Sequence, residues 1–176
     1  MAKTITVDVL SPSSISNAIA ELEQYKRWVE QKAIQLAEAL SRVGVYEASI
    51  RFAGAMYDGS NDVYVSRTQD NAGTYTILAE GQAVAFIEFG AGVYYNTAGY
   101  PLEKPPGIVG IGEYGKGNGK KRGWVYPVSK GVGSNGRQIK PNWIFTRGNP
   151  QAMPMYYASK EMQDKLLSVA REVFGS

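Results

Sequence analysis

The sequence predicts an α+β fold: a long N-terminal helix and a C-terminal helix packed on an antiparallel sheet, with a long glycine-rich basic loop. Three observations predict it. A three- and four-residue apolar stripe runs through the first forty residues. Short alternating segments separated by turn chemistry follow it. A second helical stripe closes the chain. Helical and strand periods that occupy separate stretches, rather than alternating, point to helices packed on one sheet. The 176 residues fit a single domain spanning 1–176, with 91–151 as an extended arm.

Thr4 to Leu10 alternates, with Ile5, Val7 and Val9 opposite Thr4, Thr6 and Asp8, which predicts a short strand. Ser11 then suits an N-cap and Pro12 the first helical turn. Ile15, Ala18, Ile19, Leu22, Tyr25, Val29, Ala33, Leu36, Leu40 and Val43 form one stripe, and Gly44 is placed to end the helix. Such a helix is about 45 Å long, more than the core of one small domain requires. Part of its stripe therefore either lies under a sheet or meets another subunit.

Tyr46, Ala48, Ile50 and Phe52 alternate with Glu47, Ser49 and Arg51, predicting a strand over Val45 to Ala53. Turn residues at 57–61 and 70–73 separate it from strands at Val63–Arg67 and Thr74–Glu80, giving a three-stranded meander. Gln82 to Phe89 reads as a short helix ending at Gly90. Residues 91–151 carry no sustained period, yet Tyr94, Tyr95, Tyr100, Tyr114, Trp124, Tyr126, Trp143 and Phe145 punctuate them. Aromatics at that density argue against a simple linker and for packing, against the body or a partner. Met153 to Phe174 reads as the last helix, with Met155, Ala158, Met162, Leu166, Val169 and Val173 as its stripe.

Composition removes several function classes. The chain has no cysteine and no histidine, so thiol chemistry is excluded and the commonest general base and metal ligand are missing. Ser residues lack a histidine partner, and Glu80, Glu88, Glu103 and Glu113 show no ligand-like spacing. No catalytic, cofactor-binding or metal-binding residues are expected, and an enzyme using Glu88 or Glu113 has only the presence of carboxylates in its favour. The opening MAKTITVDVL lacks a signal-peptide core, and no apolar run is long enough to span a membrane.

The net charge of +3 is unevenly spread. From Glu103 to Arg147 nine Lys/Arg face two acids, a balance of +7, and the remainder carries ten against fourteen, or −4. Thirteen of the 20 glycines lie between Gly90 and Gly136. Gly110, Gly112 and Gly115 spell G-x-G-x-x-G, but Pro105-Pro106 before them is poor strand material and Gly117-Asn118-Gly119 after them poor helix material. Gly110 to Lys116 also fits G-x-x-x-x-G-K, but Gly117 stands where a magnesium-binding hydroxyl belongs. The segment is not a phosphate cradle. Lys120, Lys121 and Arg122 beside Trp124 and Tyr126 resemble a nucleic-acid surface, a solvated loop tip, or a dock for an acidic neighbour.

Two stretches carry a family resemblance: Ala85-Phe-Ile-Glu-Phe-Gly-Ala-Gly92, and Thr146-Arg-Gly-Asn-Pro-Gln-Ala-Met-Pro154 running into the last helix. With the order of elements around them, they resemble the tail-completion family of long-tailed bacteriophages, whose members are also described as minor capsid, neck or head–tail joining proteins. This chain differs at Ala91, where the family usually has Thr, and at Met155, where it often has Phe. The resemblance implies a non-catalytic virion protein of the neck or upper tail, made in the host cytoplasm and working as a homo-oligomeric ring, usually sixfold. Its partners would be tail-tube, terminator and connector or stopper proteins, with possible non-specific contact to genomic DNA in the lumen. A tail terminator ring is the nearest alternative, and a DNA-binding protein acting through the basic loop a more distant one.

Within that frame Glu88, Phe89, Gly90 and Gly92 set the chain's exit into the arm, with Phe89 expected in the core, and Gly148, Pro150 and Pro154 its return into the last helix. Lys120, Lys121, Arg122 and Arg147 would pair with acidic surfaces, and Trp124, Tyr126 and Trp143 would anchor. Six copies lining a lumen would present about 42 positive charges against roughly 24 phosphates on 40 Å of duplex. Such an excess would hold DNA that must slide, which favours docking onto proteins.

Overall fold

The structure, a computed structural model, describes residues 4–55, 61–92, 100–103, 122–130 and 136–175. The Gly110–Lys116 motif, Lys120 and Lys121 therefore lie outside the described residues.

The first helix, α1, spans Pro12–Gly54. The Ser11 hydroxyl accepts the Ser14 N–H at 3.3 Å, and Pro12 occupies the first turn, as the sequence indicates. At 43 residues the helix is about 65 Å long. It does not stop at Gly44. That glycine is buried where α1 crosses its neighbours: a Cβ there would lie 2.3 Å from Ile77 Cδ1 and 2.6 Å from Met162 Sδ. Its smallness permits close approach in mid-helix, so it does not act as a terminator.

The strand expected over 45–53 is accordingly helix. Both periods are present in those residues, and packing selects between them. Ser41, Gly44, Ala48 and Phe52, at three- and four-residue steps, are buried, whereas Tyr46 and Ile50 are exposed. Extending an existing helix needs no new nucleus, whereas a strand would need a partner. Residues 4–8 likewise form no strand. Asp8 Oδ1 accepts the Leu10 N–H at 3.0 Å and Ser14 Oγ accepts the Asp8 N–H at 2.9 Å, tying the segment to the helix start.

The expected meander is a two-stranded hairpin. β1 (Tyr64–Gln69) and β2 (Tyr75–Glu80) pair antiparallel from Tyr64↔Glu80 to Gln69↔Tyr75. Asp70 shapes the turn, its Oδ1 accepting the N–H groups of Ala72 and Thr74 at 3.0 and 2.8 Å. Arg67 fastens the hairpin to α1, donating to the Glu38 carbonyl at 3.1 Å and to Ser41 Oγ at 2.8 Å. The short helix α2 (Val84–Glu88) follows. Asp62 accepts the N–H groups of Gln82 and Ala83 at 2.8 and 2.9 Å, just before α2 begins.

The stretch 91–151 is not an unstructured arm throughout. It contains β3 (Trp124–Pro127), a 3₁₀ turn (Val128–Lys130), β4 (Arg137–Lys140) and β5 (Trp143–Thr146). These strands form an antiparallel sheet of order β3-β5-β4. Strands of four residues are too short to stand out by period, and a bulge between Gln138 and Lys140 breaks the alternation of β4.

The last helix, α3 (Pro154–Gly175), runs antiparallel to α1. Near its start Ala158 joins Ala48, Phe52, Ala83 and Ile87 in the core. Met162 faces Gly44, and Phe174 meets Trp28 edge-on at 5.8 Å. A long first helix, a last helix and small antiparallel sheets make the fold α+β.

Candidate functional site

The two stretches that carry the family resemblance are 54 or more residues apart in sequence and touch in space. Ala91 and Asn149 form an isolated antiparallel bridge, each N–H donating to the other's carbonyl at 2.9 and 3.1 Å. The Ala152 N–H adds a third bond, to the Ile87 carbonyl at 2.9 Å. Gly148 sits at φ 92°, and a Cβ there would fall 1.9 Å from the Ala91 carbonyl oxygen. No side chain fits between the two backbones. Gly90 and Gly92 also take positive φ, and a Cβ at Gly92 would lie 3.0 Å from the Trp124 ring.

Glu88 is the polar centre of this junction and is buried. Its Oε2 accepts the Met155 N–H at 2.8 Å, and its Oε1 accepts the Tyr156 N–H at 3.1 Å and the Tyr100 hydroxyl. Met155 and Tyr156 follow Pro154 in the first turn of α3, where backbone N–H groups lack helical partners and the helix dipole favours an anion. A side chain from α2 thus caps α3 across 67 residues. Phe89 is buried with its ring 4.7 Å from that of Tyr100. Burial, then the Glu88 carboxylate and Tyr156, push the Tyr100 hydroxyl well above the usual tyrosine range. Pro154 is fully buried and opens α3, whereas Pro150 is exposed.

The junction carries the three-stranded sheet on its flank, and the pairing of β3 with β5 divides Trp124, Tyr126, Trp143 and Phe145 between two faces; Tyr94, Tyr95 and Tyr114 lie outside the described residues. Trp124↔Thr146 and Tyr126↔Ile144 share the inner face, where Thr146 and Ile144 have no exposure. Trp124 and Tyr126 are therefore half-buried, with Trp124 lying over Gly92 and Gly148. Val125↔Phe145 and Pro127↔Trp143 share the outer face. There Val125 and Trp143 are exposed, and Arg137 and Lys140 stand opposite Phe145 and Trp143. Ile139 is exposed in the bulge between those two cations. Arg122 and Arg147 are exposed at the ends of β3 and β5. Of the aromatic anchors expected from sequence, only Trp143 faces outward. Val125, Arg137 and Lys140 join it, and the alternation across β3 and β5 is the signal that would have found the first of them.

Among the described residues no cluster of acidic, histidine or cysteine side chains could hold a metal ion, and no helix is long and apolar enough to cross a membrane. A shallow cleft of about 350 Å³ is lined by Arg51, Gly54, Ala55, Pro150, Gln151 and Ala152. The one titratable side chain among its described lining residues, Arg51, bonds Glu47 at 2.7 Å and lies over the Tyr157 ring at 4.7 Å. Compared with protein-family models, curated proteins and solved structures, the chain matches none.

Proposed function

We propose that this chain is a structural protein of the neck or upper tail of a long-tailed bacteriophage, a ring component that completes the tail and joins it to the head connector. The observation that carries the reading is the junction. The stretches 85–92 and 146–154, read from sequence as a family-like pair, bridge through Ala91 and Asn149 and meet at the Glu88 cap on α3. The sheet beside that junction presents apolar and basic side chains outward, as a protein that binds neighbours would. Catalysis plays no part in the reading, and assembly would take place in the host cytoplasm before the chain enters the virion.

The test is immunogold labelling of phage particles released from the host, with antibodies raised against the purified chain. The expected result is label at the head–tail junction. Particles that carry no label while the chain is present in the infected cell would sink the proposal. Charge reversal at Lys120, Lys121 and Arg122 should block head–tail joining and leave the purified chain folded.

A second reading, a DNA-binding protein, draws on one observation. From Tyr114 to Lys160 there are nine Lys/Arg and no acid. A gel shift across a salt series separates the two, since the neck reading expects weak or no binding at physiological salt.

A further inference from the structure

Of residues 100–103, only Tyr100 is partly buried; Pro101, Leu102 and Glu103 are exposed. The Tyr100 hydroxyl donates to Glu88 Oε1. Its ring stands edge-on to Phe89 at 4.7 Å and to Tyr156 at 6.2 Å. Phe89 closes α2 and Tyr156 lies in the first turn of α3. A single side chain thus ties the start of the arm to both sides of the junction.

The junction has other bonds to keep it closed. The Ala91–Asn149 bridge and the bond from the Ala152 N–H to the Ile87 carbonyl join its two stretches through other residues. Glu88 retains the Met155 and Tyr156 N–H groups when the phenol leaves. A contact made by one side chain, on a carboxylate already served by two backbone donors, can open locally without unfolding what lies beneath it.

Gly92 and Trp124 are neighbours, so the 31 residues between them form a loop whose ends meet. Tyr100 divides that loop into stretches of seven and 23 residues. A loop that returns to its start extends at most half its contour length, at ~3.4 Å per residue. By chain length alone the limit is about 40 Å with Tyr100 docked and about 54 Å with it free. Residues 104–122 of the loop carry five cations, Lys104, Lys116, Lys120, Lys121 and Arg122, against the single acid Glu113.

We propose that Tyr100 is a releasable clasp on the arm. Docked on Glu88, it holds the start of the arm against the first turn of α3 and keeps the arm short. Released, it lets the basic segment reach up to about 14 Å further from the body. The first turn of α3 responds to the change, because the phenol fills an acceptor position of Glu88 Oε1 that water takes when Tyr100 leaves. The clasp is a property of one chain and stands apart from the neck reading.

The chain has no cysteine, so spin labels attach only where cysteines are introduced. Leu102→Cys and Gln163→Cys replace exposed residues, one beside the clasp and one on α3. Pulsed dipolar spectroscopy on the doubly labelled full chain should give one narrow distance distribution. Tyr100→Phe keeps the ring and removes the hydroxyl. Loss of a bond to a charged acceptor should raise the released population about tenfold and add a second, broader component. Tyr100→Ala removes the ring contacts as well and should leave chiefly that component. Circular dichroism should show both variants folded. Amide exchange at Met155 and Tyr156 should quicken severalfold in Tyr100→Ala while the middle of α3 is unchanged.

The same distance distribution in the unmodified background and in Tyr100→Ala would overturn the proposal. So would a broad distribution with Tyr100 in place, since the clasp would then not hold. Global unfolding of both Tyr100 variants would overturn it too, because the residue would be part of the core. Unchanged exchange at Met155 and Tyr156 beside a released Leu102 would overturn the link to α3.

Discussion

Glu88→Ala removes one carboxylate from three donors at once. The Met155 and Tyr156 N–H groups at the start of α3 lose their acceptor, as does the Tyr100 hydroxyl. Glu88 is only 3% exposed, so water reaches the vacated site only if the junction opens. A hydrogen bond to a charged group contributes about 1.5–3 kcal/mol, and donors left unsatisfied in a buried site add to the loss. Fraying of the first turn of α3 recovers part of it. The expected net destabilisation is about 3–5 kcal/mol, or a fall in Tm of roughly 10 °C for a chain of this size. Glu88→Gln keeps the size and one acceptor oxygen and should cost about 1–2 kcal/mol. Urea unfolding followed by circular dichroism measures both. Amide exchange localises the damage, and should accelerate at Met155 and Tyr156 before the middle of α3. A Glu88→Ala chain within about 1 kcal/mol of wild type would refute the capping argument, since exposed or redundant contacts cost no more than that.

Gly148→Ala should destabilise by about 2–4 kcal/mol, because it combines a positive φ with overlap against the Ala91 carbonyl, again read by urea unfolding. Gly54→Ala is its counterpart. A Cβ there meets nothing within 4 Å, so the substitution should stabilise the end of α1 by up to ~1 kcal/mol in the same assay. Tyr100 has its hydroxyl pKa raised in the folded state, so the unfolded chain releases that proton first. Its contribution to stability is full below the usual value of 10.0 and declines as pH rises beyond it. Tyr100→Phe should flatten that alkaline decline in a pH series of thermal melts. Asp62 shows the opposite sign. The Gln82 and Ala83 N–H groups hold its carboxyl below the usual 3.8, so its contribution is present above that value and is lost as pH falls through the folded pKa. Asp62→Asn should reduce the acid sensitivity of the melts.

Local signals in the sequence determined the start of α1, the hairpin, α2 and α3. Ser11-Pro12, the Asp70–Gly73 turn and the stripe from Met155 to Val173 each act within a few residues, and nothing more distant opposes them. The same holds for part of the candidate site. The segments 85–92 and 146–154 stand out in the chain, and the excess of cations after Glu103 is visible without coordinates.

Tertiary structure decided the rest. Gly44 is a stop signal when read alone. It became a crossing point because Ile77 and Met162, 33 and 118 residues away, occupy the space a side chain would need. Residues 45–53 satisfy the strand period and the helix period together, and the position of α3 chose the helix. Glu88 became a cap because the chain returns to it after 67 residues, a distance over which no local pattern operates. Trp124 and Trp143 look alike in sequence as aromatic anchors. Pairing in β3 and β5 turned Trp124 inward against Gly92 and Gly148 and left Trp143 on the outer face with Arg137 and Lys140. The physical reason is common to all four. Backbone preference acts between neighbours in sequence, whereas the face a side chain presents depends on which distant segment excludes water from it.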